Sequence, residues 1–267
     1  MSENLPSPLQ LTAEARAELA DAVRTLENPS LAARLAAMAG TPVEALKKRL
    51  PEFLQKGADG AVRRAIEAAW GAAVRSHPGR SPRGLAPDWF HRGMAFTSGA
   101  VGGAFGLPGT LAELPISTTI LLRQIASEAA DQGEDPSTPE VKAECLKVFA
   151  LGGDSPEDDN TETGYFAARL ALTQMLPNAA ANISSAVLPG FLAAIAGRFT
   201  GAVGLKLSAQ AVPVLGAAAG AAINIAFLEH FRSVAKAHFT VRRLEATYGN
   251  EAVRAAYDVL RDARMAA

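Results

Sequence analysis

The chain has 267 residues, 49% of them hydrophobic and only 6% aromatic, with 26 basic residues against 27 acidic ones. A chain of this length buries about 70–75% of its unfolded surface, and a core rich in Ala, Leu, Val and Ile favours closely packed helices over sheets. The balanced charge excludes the basic surface of a nucleic-acid-binding protein, and a single cysteine excludes a disulfide framework or a thiolate metal cluster.

The first third of the chain predicts amphipathic helices separated by short breaks. Thr12 is in position to cap the first helix, which carries an apolar stripe at helical spacing. Helices are expected over residues 12–26, 30–40, 41–50 and 60–75. Three prolines and two glycines then mark residues 76–87 as a linker. We therefore expect an N-terminal helical array over residues 1–75 and a helical core over residues 88–267, within one continuous domain.

A glycine-rich, charge-free stretch organises the middle of the chain. Its glycines are Gly99, Gly102, Gly103, Gly106 and Gly109. Each glycine inside a helix costs about 0.8–1 kcal/mol relative to alanine, so a helix here requires close packing against another surface. Three interpretations are open: tight helix packing in a core, a phosphate-cradling loop, and contact with a membrane or an acyl chain. The loop interpretation is the weakest, because no strand precedes the glycines and no lysine follows them.

After the glycines, the chain is expected to turn at Pro108–Gly109 and to restart as a helix after Pro115, with Ser117 as its cap. Thr138 followed by proline starts another helix, which Gly152–Gly153 ends. Later helices are expected over residues 165–177, up to Tyr248, and over residues 250–264, with Gly249 as a cap. The acidic run at residues 154–164 has oxygen ligands for Ca²⁺ but fails the EF-hand pattern, so a solvated loop is favoured.

Two more charge-free windows, Ala171–Gly197 and Leu207–Leu228, raise the question of membrane spans. The second window contains the small-residue pair Gly216 and Gly220. Its Leu, Ile, Phe and Val residues contribute roughly −2.4 to −4.8 kcal/mol to membrane insertion, and its polar residues, proline and glycines oppose this. Buried core helices are therefore favoured over membrane spans.

Glu113 is the carboxylate of greatest interest, because its neighbours in sequence are apolar. A buried carboxylate without a partner is costly, so we expect a pairing with Arg123, Arg169 or Arg243 that holds the glycine stretch in place. The alternative is that this carboxylate acts as a general acid or binds a head group. Asn224, which has Ala, Gly and Ile around it, is expected to bond a neighbouring helix backbone and fix the helix register.

Motifs for catalysis and metal binding are scarce in the sequence. Neither GxSxG nor HExxH is present. His230 and His238 are about 12 Å apart along a helix, too far to chelate one ion, although a site that also uses His91 is conceivable. Cys145 lies on an apolar helical face and is expected to be a buried, inert thiol. We expect no cofactor and no metal site.

Several segments, read together, resemble the EcsC family. In chain order they are LENPSLAARLA, TSGAVGGAFGLPGTLAELPISTTILLRQIA, CLKVFALGG, TGYFAARLAL, QAVPVLGAAAGAAIN and HFTVRRLEATYG, so the resemblance covers nearly the whole chain. It implies a fold and a bacterial setting beside an ABC transporter, and no particular mechanism. The positions that it carries over are Glu113, Pro115, Arg123, Arg169, Pro213, Asn224, Arg243 and Leu244.

We therefore expect an all-α fold, a compact multi-helix domain with Ala/Gly-rich central helices wrapped by amphipathic ones. The N-terminus lacks a signal-peptide pattern, which favours a cytoplasmic location, peripheral at the inner membrane. The preferred function is a non-enzymatic, membrane-associated accessory or scaffold protein. It would meet a bilayer through residues 93–125 and 203–228, or bind lipid or another apolar ligand between glycine-rich helices. The alternative is a hydrolase with an unfamiliar site around Glu113, His230 and His238.

Overall fold

The computed structural model describes most of the second half of the chain and part of the first half. The described residues are 11–27, 31, 35, 60, 62–68, 93, 106–153, 164–175, 188–210 and 217–266, with no side chains described at 106–113, 188–189, 201, 205, 207–210 and 217–220. The regular elements in these ranges are helices, which confirms the predicted all-α fold class. The predicted linker at residues 76–87 and most of the glycine stretch lie outside the described residues.

The helices with defined bounds are numbered here in chain order. Their bounds are Ala13–Leu26 for α1, Gly106–Asp131 for α2, Pro139–Leu151 for α3, Tyr165–Gln174 for α4, Leu188–Gln210 for α5, Ala217–Tyr248 for α6 and Asn250–Met265 for α7. Residues 62–68 are helical as well. The two predicted threonine caps are confirmed: the Oγ1 of Thr12 accepts from the Ala15 N–H at 3.2 Å, and that of Thr138 accepts from the Val141 N–H at 3.3 Å.

Helix α2 corrects one prediction, because it runs without a break through Pro108–Gly109 and through Pro115. A proline inside a helix removes one hydrogen bond and costs about 3 kcal/mol. Packing offsets this cost, since the apolar side chains of α2 that are described are largely buried: Leu114, Ile120, Leu121, Leu122 and Ile125. Ser117 is not a cap but lies in the helix, where its Oγ donates to the Leu114 carbonyl at 3.2 Å.

Helix α4 is shorter than predicted. It ends at Gln174, whereas the sequence predicted an end at Pro177. The reason is that the residue before a proline is disfavoured in helical conformation, so helices end ahead of it. Downstream, α6 ends at Tyr248 as predicted, and Gly249 separates it from α7 with a φ of 88°.

Two hydrophobic clusters form the described core, and the long helix α6 contributes to both. The first cluster combines α2, α3, α5 and the first half of α6, together with Leu31, Leu35 and residues 62–66. At its centre, the Phe149 ring lies 4.8 Å from that of Phe199 in an edge-to-face arrangement. The second cluster combines α1, α7 and the second half of α6 with Tyr165 from α4. α1 therefore packs on α6 and α7, at the far end of the chain.

Directly after α3, two glycines closely approach the backbone of α5 and a side chain of α6. A Cβ atom added to Gly153 would lie 2.5 Å from the carbonyl oxygen of Arg198, and one added to Gly152 would lie 2.6 Å from the Phe231 ring. These two glycines were predicted only as a helix end, and they serve in addition as the contact between helices. The side-chain-free packing expected at the central glycines is thus seen at Gly152 and Gly153, while the central glycines themselves are not described there.

Candidate functional site

A buried polar cluster lies between the two hydrophobic clusters, at the junction of α3, α4 and α6. His238 on α6 has no exposed surface and bonds two side chains at once. Its Nδ1 lies 2.8 Å from the Tyr165 hydroxyl on α4, and its Nε2 lies 3.1 Å from a carboxylate oxygen of Glu144 on α3. One imidazole therefore ties three helices together.

The chemistry of the partners assigns the protons in this arrangement. The Glu144 carboxylate only accepts hydrogen bonds, so Nε2 of His238 carries a hydrogen and donates it. Nδ1 then accepts a hydrogen bond from the Tyr165 hydroxyl. Burial lowers the pKa of His238 and raises that of Tyr165, and both directions favour the neutral imidazole and the protonated phenol.

The ionised Glu144 is stabilised by neighbouring donors and charges. Burial by itself raises the pKa of this carboxyl, but the hydrogen bond from His238 and the positive charges of Lys147 and Arg242 outweigh it, so the pKa is lowered overall. The Nζ of Lys147 donates to Glu144 at 2.8 Å, and the guanidinium of Arg242 lies 3.4 Å from the same oxygen. The carboxylate is thus held in a fully paired site.

Two further ion pairs complete the cluster. Arg242 binds both carboxylate oxygens of Glu134, at 2.6 and 2.9 Å, in the parallel geometry that suits a guanidinium. Arg169 on α4 pairs with Glu245 on α6 at 2.8 Å and lies over the Tyr165 ring. All four of these charged side chains are less than one-fifth exposed.

On the other side of Tyr165, the end of α1 and helix α7 close the cluster. The Tyr165 ring stacks on that of Tyr257 at 5.7 Å. Glu27, which follows α1, accepts a hydrogen bond from the Tyr257 hydroxyl at 2.7 Å and another from the Tyr165 backbone N–H at 3.2 Å. Glu27 therefore caps the start of α4, where a carboxylate is favoured by the helix dipole.

The predicted Glu113 network remains a prediction, because the Glu113 side chain is not among those described. The three arginines proposed for it occupy separate places. Arg123 is exposed, Arg169 pairs with Glu245 as described above, and Arg243 binds Glu18 at 2.6 Å. The structure does not bring these arginines together.

The other predicted site residues are likewise dispersed. His230 lies on α6, eight residues before His238, and has a different partner. Its Nε2 donates a hydrogen bond to the Gly152 carbonyl at 2.8 Å, because a carbonyl oxygen only accepts. Asn224 is buried, and Cys145 is buried with a pKa raised by burial and by the negative charges of Glu144 and Glu134, which supports the inert-thiol prediction. Among the described residues, no three His, Cys, Asp or Glu side chains are grouped to hold a metal ion.

Sequence reasoning missed most of the polar cluster, because the pattern of α3 does not reveal it. Glu140, Glu144 and Lys147 lie on one face of this helix at i, i+4 and i+7 spacing, which is typical of a solvated face. In the fold, Glu144 and Lys147 on that face are buried. Their partners on α4 and α6 are distant in sequence, and no spacing rule identifies them.

Helix α4 presents a charge-free face to the outside. Leu170 is 53% exposed, and Ala167, Ala171 and Gln174 are exposed beside it at helical spacing. Met175, directly after the helix, is 45% exposed. The sequence has no charged residue from Leu170 to Gly197. Exposed apolar side chains are ordinary when scattered, whereas a helix with an uncharged outer face is less common in a globular protein.

In the part of the chain that the structure describes, no helix combines the length and the apolar character that crossing a bilayer requires.

Together, the helices and their buried ion pairs define an all-α protein with a polar cluster at its centre. Residues 88–244 match the model of the EcsC protein family. Because this match covers more than half of the chain, the protein belongs to the EcsC family. The matched range does not include α1, α7 or the segment LENPSLAARLA, to which the sequence resemblance extends. Comparisons with curated proteins and with solved structures gave no match.

Proposed function

We propose that the protein is a non-enzymatic accessory or scaffold protein that associates peripherally with a membrane, and that the outer face of α4 makes the contact. The observation that carries this proposal is the uncharged outer face of α4, where Leu170 on the helix and Met175 directly after it are about half exposed. Helices that lie on a bilayer bury such a face at the boundary between head groups and acyl chains.

The proposed membrane contact on α4 lies outside the two regions that the sequence analysis favoured for contact with a bilayer. In residues 93–125 and 203–228, most of the apolar side chains that are described are buried against other helices, for example Ile125 and Phe227. Ile116 is an exception, at 55% exposed. The described parts of these regions therefore contribute mainly to the protein core, which leaves α4 as the better surface for a bilayer.

A hydrolase built on Glu113, His230 and His238 has less support. The two imidazoles have separate partners, and the hydroxyl beside His238 belongs to the buried Tyr165. A nucleophile must reach its substrate, so a hydroxyl–imidazole–carboxylate arrangement without exposure fits a structural role. An ABC transporter remains a proposed partner on the strength of the family resemblance, as does lipid bound between the glycine-rich helices.

The test is flotation of the purified full chain with liposomes of phosphatidylcholine, with and without phosphatidylglycerol. Because the outer face of α4 has no charge, we expect flotation in both lipid mixtures and little dependence on salt. The double variant Leu170→Glu/Met175→Glu should lower the partition coefficient by about tenfold or more, since burial of one leucine contributes about 1.5–3 kcal/mol.

A matched control is available on α7. Val259 is 58% exposed and Met265 is 73% exposed, so Val259→Glu/Met265→Glu introduces the same charges at other apolar surface positions. This control should float like the unmodified protein. Absence of flotation of the unmodified protein, or an equal loss in both double variants, would refute the proposal.

A further inference from the structure

The attachment of α4 to the rest of the protein depends largely on polar bonds. Only Tyr165 and Leu172 of this ten-residue helix are buried, and Phe166 is partly buried with its ring 4.9 Å from that of Tyr257. The bonds that attach it are Tyr165 to His238 at 2.8 Å, Arg169 to Glu245 at 2.8 Å, Lys147 to Thr173 at 3.1 Å, and the Tyr165 backbone to Glu27 at 3.2 Å. With so little apolar surface buried, the loss of one polar bond weighs heavily on this helix.

The largely buried charges around His238 balance when its imidazole is neutral. Three cationic side chains face three largely buried carboxylates; the cations are Lys147, Arg169 and Arg242, and the carboxylates are Glu134, Glu144 and Glu245. A fourth carboxylate, Glu140, lies 3.6 Å from Arg242 but is 57% exposed. A proton on His238 would add a positive charge that no further buried carboxylate among the described residues compensates.

The groups that face His238 come from every element around it. They are Glu134, Glu140, Glu144 and Lys147 in and before α3, Tyr165 and Arg169 of α4, Arg242 and Glu245 of α6, and, behind Tyr165, Glu27 after α1 and Tyr257 of α7. Within this set, the Nδ1 of His238 accepts the hydrogen bond of the Tyr165 hydroxyl. Protonation of Nδ1 would turn that acceptor into a donor.

We propose that His238 is an acid-sensitive latch for α4: when its imidazole takes up a proton, the bond to Tyr165 is lost and α4 is released from the bundle while α3 and α6 stay folded. The inference concerns the attachment of α4 alone. It does not depend on contact between α4 and a membrane, and its test contains no lipid.

The direction of the effect follows from proton linkage. Burial lowers the pKa of His238 from 6.5 in the attached state, whereas in the released state the imidazole reaches water and this effect of burial is removed. The released state therefore binds more protons below pH 6.5, and acid shifts the equilibrium toward release. The Glu144 carboxyl has an ordinary pKa of 4.5, so its protonation contributes only at lower pH. A measurement at pH 5.5 therefore reports the effect of protonating His238.

The test is amide hydrogen exchange of the full chain, measured by mass spectrometry at pH 7.5 and 5.5 and corrected for the intrinsic exchange rate at each pH. In peptides from residues 165–175, we expect protection to fall by up to about tenfold for each pH unit below 6.5. Peptides from α3 and α6 should lose much less protection.

Two variants on the same helix sharpen the test. His238→Gln retains a donor for Glu144 but does not titrate, so α4 should exchange at the same corrected rate at both pH values. His230→Gln removes the other buried histidine of α6 and should leave the pH response of α4 as it is in the unmodified protein.

Three results would overturn the proposal: protection of α4 that is the same at both pH values, loss of protection in α4 and α6 in equal measure, or an unchanged pH response in His238→Gln. If His238→Gln does not fold, the comparison of α4 with α6 in the unmodified protein decides the matter by itself.

Discussion

Gly153 lies at a point where two helices approach more closely than a side chain permits. Its α-carbon faces the Arg198 carbonyl of α5, and a methyl group there would overlap a backbone atom, which has no freedom to move aside. Close approach of this kind is how small residues stabilise helix pairs: they shorten the distance between backbones and increase dispersion contacts.

We predict that Gly153→Ala lowers the free energy of unfolding by about 1–3 kcal/mol, because the added methyl forces α3 and α5 apart. Urea denaturation followed by circular dichroism measures this. Gly197→Ala is the control, since nothing lies within 4 Å of its added Cβ and its position inside α5 should gain up to about 1 kcal/mol from the better helix former. Equal stability of Gly153→Ala and the unmodified protein would show that the contact yields easily.

Individual residues also show how far the sequence could be interpreted. Thr12 and Thr138 were identifiable as caps because capping is a local property, set by the residues that follow within one turn. The bonds of His238 were not identifiable, because its partners lie 94 and 73 residues away along the chain. Spacing within one helix correctly separated His238 from His230 but gave no information about partners on other helices.

At the scale of elements, α2 illustrates why local helix propensity led to a wrong prediction. Proline and glycine disfavour a helix at residues 108–115, and the sequence therefore predicted a turn and a restart. The helix persists because α2 packs against α6, α3 and α5 and buries its apolar face there. Tertiary packing outweighed a few kcal/mol of unfavourable propensity, as it commonly does in helices with an apolar face.

The junction between α6 and α7 depends on one backbone conformation. Gly249 has φ of 88° and ψ of 149°, a region that residues with a side chain rarely adopt. The turn aims α7 back onto α6 and α1, which places Tyr257 in the second hydrophobic cluster.

Replacing Gly249 by alanine should therefore lower the melting temperature, with a loss of about 1–3 kcal/mol that comes from backbone strain alone. Nothing lies within 4 Å of the added Cβ, so a steric clash does not contribute. Differential scanning calorimetry measures the change, and Gly60→Ala, at a helical glycine whose added Cβ has ordinary contact with Arg64, is the comparison. A melting temperature unchanged in Gly249→Ala would mean that the turn can relax.

For the molecule as a whole, the buried titratable groups set a range of pH in which the fold is most stable. Below pH 6.5 the unfolded chain binds a proton at His238 that the folded chain resists, because burial lowers the pKa of this imidazole. Below pH 4.5 the unfolded chain also binds a proton at Glu144, whose pKa is lowered in the fold. Above pH 10 the unfolded chain releases the protons of Tyr165 and Tyr257, whereas burial raises their pKa in the fold.

We predict that the free energy of unfolding is greatest between about pH 6.5 and 10 and falls on both sides, by up to about 1.4 kcal/mol per pH unit for each such group. Urea midpoints across this range, at constant ionic strength, measure the profile. Tyr257→Phe should reduce the loss above pH 10, and the acid side should keep its shape. A flat profile from pH 8 to 11 in the unmodified protein would contradict the assignment of the buried tyrosines.

The pairing of α1 with α6 and α7 has a consequence for synthesis of the protein on the ribosome. Contacts such as that between Arg264 and the Arg24 carbonyl join residues 240 positions apart. The apolar stripe of α1, which includes Leu19 and Val23, leaves the ribosome before the residues of α6 and α7 that it packs against. Until those residues are translated, the apolar face of α1 lacks its partners, so the first cluster has time to assemble before the second.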